Sequence, residues 1–372
     1  MKKILKIKLM TDDFQNRALK RTMGMFSEVQ NEISERAFKE KEYRKFQVHK
    51  IVYHAIKQKY KDFSSQLIIR AIDNVSNSYK NKGQQTNRPH GFKNTGAVVY
   101  DERIISFKQN LVNIWTTEGR LKIPIHIWNM ELFKFRKGQC DLINQNGTWF
   151  LVVTVDISEK TKYIPKECIG VDLGIKKIAI TSDGDSYSGE ILEKKRKKFS
   201  GHRSRLQKCG TRSAKRRLKT IGKKESLFRK DVNHCISKKL IEKAKGSLCA
   251  LALEELKGIN KRVTVRKSQR NERMSWSFFQ LRSFLEYKAL EQGVEIILIP
   301  SFYTSQTCSN CNHCEKKNRK NQSEFLCLVC GFATNADYNA SLNIKFLGDQ
   351  SISLLFPHSA VVASPRSLGV GS

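Results

Sequence analysis

TCSNCNHCEKKNRKNQSEFLCLVCGFATNADYNASLNI, residues Thr307 to Ile344, is the stretch around which the chain is organised. Cys308, Cys311, Cys327 and Cys330 stand in C-x2-C-x15-C-x2-C spacing, that of a four-thiolate zinc site. Each C-x2-C pair forms a tight turn that aims two sulfurs at one point, and two such turns complete a tetrahedron. Cys314 also stands three residues after Cys311, but Cys308 already completes the first turn. Seven residues after Cys330 comes Asp337, at the start of a helical pattern. A knuckle that delivers a carboxylate onto a new helix points to an active site, and its acidic partners must lie upstream.

The whole chain has 372 residues, enough for two or three domains. Its 69 Lys and Arg against 35 Asp and Glu give a formal net charge of +34. Such a charge calls for a polyanionic partner, because neutralised phosphates release counterions and supply non-specific affinity. No apolar run approaches the roughly 20 residues of a spanning helix. Met1-Lys2-Lys3 leads into an alternating strand, unlike a secretory leader. Nucleic acid is therefore expected over a membrane, and a cytoplasmic, nucleoid-associated location with it. Cys140, Cys168, Cys209, Cys235, Cys249 and Cys314 show no pairing logic and read as reduced thiols.

Upstream, Leu5, Ile7 and Leu9 alternate with lysines as one strand. Phe26, Val29, Ile33 and Ala37 then share a helical face, as do Ile68, Ile72, Val75 and Tyr79, so residues 11–80 read as a helical bundle. Asn81 to Gly96 reads as a loop. From Val98 the period becomes two, and residues 98–160 read as a small β-barrel or sandwich that the first strand could join. Pro124 places its strand at an edge or a bulge, and Asn146-Gly147 fits a type I′ hairpin. Trp115, Trp128 and Trp149 suit core anchoring better than base stacking.

After Pro165 the pattern is that of an α/β domain. Cys168–Gly174 and Lys177–Gly184 are two strands, and Lys194–Lys230 holds 17 Lys and Arg with one acid, Glu225. We expect a long basic helical arm there, against a phosphate backbone, with an amphipathic helix following. Ser247–Leu253 is a third strand, Ser275–Gln292 a helix ended by Gly293, and Val294–Ile299 a fourth strand. Asp337–Phe346 closes the fold, and the Gly- and Pro-containing tail from Gly348 is expected to be poorly ordered.

Three acids now occupy matching places: Asp172 inside a strand, Glu254 at a strand's end, Asp337 at a helix start. This order of elements is that of an RNase H-like fold, in which the first strand lies beside the later one and brings Asp172 to Glu254. Close carboxylates repel unless divalent cations lie between them. Two such ions, Mg2+ or Mn2+, about 3.5–4 Å apart would activate water for phosphodiester hydrolysis.

GVDLGIKKIAIT, LALEELKGI and the knuckle segment with NADYNASLNI resemble the three RuvC motifs and zinc ribbon of the TnpB proteins of insertion sequences, which are similar to type V CRISPR effectors. The resemblance covers residues 168–346 closely and the N-terminal half by layout. It implies an RNA-guided DNA endonuclease of multidomain α+β fold. A wedge β-barrel (residues 1–10 and 98–165) would carry an inserted helical recognition lobe (11–97). A RuvC-like nuclease domain (166–305 and 333–347) would follow, interrupted by the zinc ribbon (306–332), with a flexible tail at 348–372. Carried over by motif, Asp172, Glu254 and Asp337 are the metal-binding catalytic acids, Glu254 being preferred to Glu255 as the first acid after the strand. Zn2+ would be structural. The partners would be a guide RNA and a double-stranded DNA target with a short flanking motif. The rivals are a nuclease-inactive RNA-guided DNA-binding repressor, a DNA transposase, and a zinc-ribbon nucleic-acid-binding protein without catalysis.

Overall fold

The first strand, β1 (Lys2–Leu9), has its hydrogen-bonding partners more than a hundred residues away. The structure, a computed structural model, describes residues 1–82, 87–255, 278–321 and 323–357. They form two compact units, Met1–Ser158 and Glu159–Ser372.

In the first unit, β1 leads into three helices, α1 (Asp13–Lys39), α2 (Lys45–Lys59) and α3 (Ser65–Lys82). Strands β2 (Val98–Tyr100), β3 (Ile105–Lys108), β4 (Leu111–Thr116) and β5 (Gly119–His126) follow, then a single turn, α4 (Met130–Phe133), and strands β6 (Arg136–Gln145) and β7 (Thr148–Asp156). Helix α1 opens on a capping box in which Asp12 and Gln15 exchange hydrogen bonds. Phe26, Val29 and Ile33 are buried on its inner face, as the helical spacing predicts. The sheet runs β2-β6-β7-β1-β5-β4-β3, a nearly closed barrel, so the helices are inserted between its first and second strands.

Asn146 and Gly147, at φ +53° and +85°, make the tight β6–β7 turn. Strand β5 is not an edge, for it pairs with both β4 and β1. Pro124 is tolerated because it lies opposite the point where β1 has ended, and its carbonyl accepts from Met10 N at 2.8 Å. Trp149 is buried and its Nε1 donates to Asn16 Oδ1 at 2.7 Å, whereas Trp128 is exposed.

The second unit begins with β8 (Cys168–Asp172), β9 (Lys177–Thr181) and β10 (Ser186–Ser188), the last a short polar strand with no periodicity to announce it. Helices α5 (Glu190–Cys209) and α6 (Arg212–Gly246) follow, then β11 (Ala250–Glu254), α7 (Phe278–Gln292) and β12 (Ile296–Ile299). The ribbon strands β13 (Glu324–Leu326) and β14 (Ala333–Asn335) precede α8 (Ala336–Leu355). The main sheet runs β10-β9-β8-β11-β12, with β8, β11 and β12 parallel, β9 antiparallel to β8 and β10 antiparallel to β9. Leu240, Leu251, Leu253, Leu281 and Leu285 are buried on the face covered by α6 and α7. Ile344 and Ile352 of α8 are buried with Ala250, Ala252 and Ile299 on another cluster.

Two further expectations change. The basic arm is a helical hairpin, because Gly210 takes the left-handed conformation (φ +63°) and Thr211 caps a new helix through Ala214 N. The amphipathic helix expected to follow is the rest of α6. Glu225, buried on α6, accepts from Arg203 of α5 at 2.6 Å and ties the two together. The tail does not begin at Gly348, since α8 runs on to Leu355 and buries Ile352. A Cβ on Gly348 would come within 2.6 Å of Ala252 Cβ and 2.8 Å of Cys168 Sγ, so this glycine serves close packing. Residues 358–372, and the Ser275–Ser277 start of the helix that ends at Gln292, lie outside the described residues.

Candidate active site and metal centre

The register of two strands sets the first pair of acids. Leu253 of β11 pairs with Val171 of β8 in parallel, so the next residues, Glu254 and Asp172, stand level on neighbouring strands and on the same face. Glu255, one residue on, is exposed, and its N–H donates to Ile299 O at 2.8 Å.

The third acid comes from α8, which lies antiparallel to β8. Lys345 Nζ donates to Cys168 O at 3.0 Å, and the backbone of Ser341 and Lys345 lies against Gly170. From Ser341 back to Asp337 is about 6 Å of helix rise, and from Gly170 on to Asp172 about 6.6 Å of strand. The two rises match, which brings Asp337 level with Asp172. Asn335 caps the helix by accepting from Asp337 N and Tyr338 N at 3.2 and 3.3 Å.

Asp172, Glu254 and Asp337 line one cleft of about 400 Å³, together with Lys176, Lys177, Thr304 and Arg319. Burial raises the Asp172 carboxyl, and the charges of Glu254 and Asp337 raise it further, to about 8. Glu254 is raised by burial, against the hydrogen bond from the Thr304 hydroxyl and the charge of Arg319. Asp337 is raised by burial, while Arg319, 3.1 Å away, and then Lys177 and Lys176 oppose this. A buried carboxyl raised by two neighbouring carboxylates marks a place that suits a cation. Three carboxylates are a donor set of the kind that hard divalent cations take.

The sequence reading missed Arg319 and Thr304. Arg319 lies in the basic run between the knuckles, where composition gives no hint that one guanidinium turns toward the acids. Thr304 precedes the first knuckle and carries no motif of its own.

Cys308, Cys311, Cys327 and Cys330 bring their sulfurs within 4.8 Å of one another. The Cys308–Cys330 and Cys311–Cys327 separations are 3.7 and 3.5 Å. Four sulfurs about 2.3 Å from a zinc ion stand about 3.8 Å apart along the tetrahedron's edges, so the cluster fits zinc. Within the cluster the Phe332 N–H lowers the Cys330 thiol to about 6, while burial raises the Cys308 and Cys311 thiols, so Cys330 ionises before them. Cys314 lies outside the cluster, bridging Thr307 instead.

Two family models match this chain. Residues 150–257 match the one described as "Probable transposase", and residues 278–344 match "Cas12f1-like, TNB domain". The CRISPR-associated endodeoxyribonuclease Cas12f1 of Sulfoacidibacillus thermotolerans is 30% identical over 219 residues, 54% of this chain and 50% of that protein. The "putative RNA-guided DNA endonuclease InsQ" of Escherichia coli (strain K12) is 26% identical over 226 residues, 54% of each chain. A TnpB-like protein of Methanocaldococcus jannaschii is 30% identical over 162 residues, 42% of this chain and 55% of that one. Over part of its length the chain is similar to TnpB-like proteins. It spans about half the length of the curated relatives it matches. Among solved structures, CasPhi-2 (Cas12j) bound to crRNA matches with a TM-score of 0.57 at 11% identity, over 94% of this chain and 98% of that one. The mini RNA-guided endonuclease CRISPR-Cas phi3 matches with a TM-score of 0.54 at 10% identity, over 99% and 93%. At such identities the likeness concerns the fold, and it runs over nearly the whole chain.

Proposed function

We propose that this chain is an RNA-guided DNA endonuclease of a transposable element that hydrolyses phosphodiesters in the cleft of its second unit. One observation carries the reading: Asp172, Glu254 and Asp337, from β8, β11 and α8, line a single cleft edged by Arg319, Lys176 and Lys177. Mg2+ or Mn2+ held by the three carboxylates would supply an activated water and charge compensation at the leaving oxygen. Arg319 balances the carboxylates from the ribbon side, and Thr304 fixes one oxygen of Glu254. Zinc on the four thiolates would hold the ribbon that carries Arg319 and leads into Asp337. The α5–α6 hairpin would lie along a phosphate backbone, either of the guide RNA or of its pairing with target DNA. Base pairing would then read sequence, and the protein only a short flanking DNA motif.

The test uses full-length protein with its co-purified RNA and a guide-matched target. Asp172→Ala and Glu254→Ala should abolish cutting and keep RNA and target binding, while Glu255→Ala should cut. An Asp172→Ala protein that cuts at the wild-type rate would remove this site. Wild type that binds but never cuts would make the protein a repressor. The name of the first matched family favours strand transfer as a second reading, and products joined to new DNA would support it.

A further inference from the structure

Asparagine recurs at every fourth position where α8 begins: Asn335, Asn339 and Asn343. Asn335 caps the helix, but the other two lie inside it, where asparagine is a poor helix former. Both are buried, at 0% and 6% exposure, and an amide left unpaired there would be costly. Asn339 Oδ1 accepts from Ser309 N at 2.9 Å, and its Nδ2 donates to Thr307 O at 2.7 Å. Asn343 Nδ2 donates to Thr304 O at 2.8 Å and to Thr307 O at 2.7 Å. All these bonds end on the backbone of residues 304–309, the stretch that runs through the first cysteine of the zinc knuckle, Cys308.

A further buried asparagine works from inside the ribbon. Asn318 Nδ2 donates to Gln306 O and His313 O at 3.1 and 3.2 Å, and its Oδ1 accepts from Leu328 N at 3.1 Å, so one amide joins the two knuckles. Its neighbour Arg319 reaches Asp337. The ribbon thus meets two of the three acids. It meets Glu254 through the Thr304 hydroxyl, and Asp337 through Arg319 and the helix that Asn339 and Asn343 fasten. Asp172 is placed instead by the register of β8 and β11. We infer that Asn339 and Asn343 are positioning residues that relay the state of the zinc ribbon to the acidic cleft, so that zinc occupancy sets how tightly the cleft holds divalent cations. The inference rests on reading the cleft as a cation site and adds its regulation. A chain without zinc would keep its three acids and lose their spacing. Spacing decides affinity, since disturbing the groups that orient metal ligands costs about 10–100-fold in binding.

The probe is Mn2+, titrated into zinc-loaded full-length protein and followed by the electron paramagnetic resonance of the free ion. Asp172→Ala marks the part of the binding that belongs to the cleft. The double variant Asn339→Ala with Asn343→Ala should keep one zinc per chain and bind that Mn2+ about tenfold more weakly, the low end of the range because the amides act through Thr304 and the helix. Ser341→Ala is the comparison for stability. Its hydroxyl, equally buried on α8, donates to Tyr338 O within the helix, so its loss should leave Mn2+ affinity at the wild-type value whatever the melting temperature. Zinc-free wild type should bind Mn2+ about tenfold more weakly and recover with one equivalent of zinc. In the double variant, removing zinc should change Mn2+ affinity by less than about twofold, because the coupling is already cut. Equal Mn2+ binding by wild type and double variant, or an equal loss in Ser341→Ala, would overturn the relay alone. A double variant without zinc would overturn it too, since the amides would then build the ribbon. Wild type with no Asp172-dependent Mn2+ would overturn the cation site and the relay together. Wild type that shows the coupling yet cuts no guide-matched target would support the relay and sink the endonuclease reading alone.

Discussion

Gly170 is the narrowest contact that the candidate site depends on, and adding one methyl group there tests how the site is built. In Gly170→Ala the new Cβ would stand 2.1 Å from Ser341 O, 2.4 Å from Lys345 N and 2.9 Å from Lys345 Cα. All three are backbone atoms of α8, so no side-chain rotation relieves the clash. Ordinary contact begins at 3.4 Å, and the helix must withdraw by about 1.3 Å. Overpacking of this kind costs about 1–3 kcal/mol. For a unit of this size that is about 2–12 °C of melting temperature. Asp337 rides on the displaced helix, and a misplacement of about 1 Å at reacting groups costs about a hundredfold in rate. Thermal melts of zinc-loaded protein and cleavage of a guide-matched target read the two effects. Gly201→Ala, on α5 with no atom within 4 Å of the added Cβ, is the control and should be neutral or stabilising. Gly170→Ala melting with wild type and cutting at its rate would refute the seating of α8 on β8.

Cys327→Ser should lower zinc from one per chain by elemental analysis and reduce the melting temperature, because thiolate ligation contributes folding energy. Asp172, raised from 3.8 to about 8 in the fold, favours the folded state fully below about pH 4 and loses that contribution as pH rises to about 8. Zinc-loaded, magnesium-free protein should therefore lose stability between pH 5 and 8, and Asp172→Asn should flatten the loss in melts at three pH values. Arg203→Ala leaves the buried Glu225 carboxylate without its α5 partner. It should cost about 1–3 kcal/mol by urea unfolding, less than the roughly 3–5 kcal/mol of a fully buried pair because Arg203 is partly exposed. Reversing several charges on α5 and α6 should flatten the salt dependence of nucleic-acid binding by about 0.7–0.9 in slope per lost phosphate contact, measured by titration at a series of salt concentrations.

What the sequence made legible was local or periodic. The four cysteines are fixed by turn geometry, and Asp172 and Glu254 each close a buried apolar run that can only be a central strand. Asp337 follows from the knuckle before it and the helix it opens. What escaped depended on contacts between distant segments. Gly348 looks like a linker glycine until Ala252 and Cys168 are found against it. Gly210 and Thr211 carry a helix stop and start, but the charge around them hid the signal. β10, Ser-Tyr-Ser, has too little apolar character to mark a strand and exists because β9 offers it an edge. Pro124 suggests an edge or a bulge, yet its strand is interior, and the proline fits because β1 ends there.

The third carboxylate sits on the last described helix, and this orders events in time. Asp337 is made 165 residues after Asp172, roughly ten to thirty seconds later at ordinary translation speeds of about 5–20 residues per second. By then the lysines and arginines of α5 and α6 have long emerged. A growing or truncated chain that lacks α8 would hold polyanions with two of its three acids and no means of completing the set. On the endonuclease reading, such a fragment would compete for the same polyanions, and the proposed site would be complete only once α8 docks.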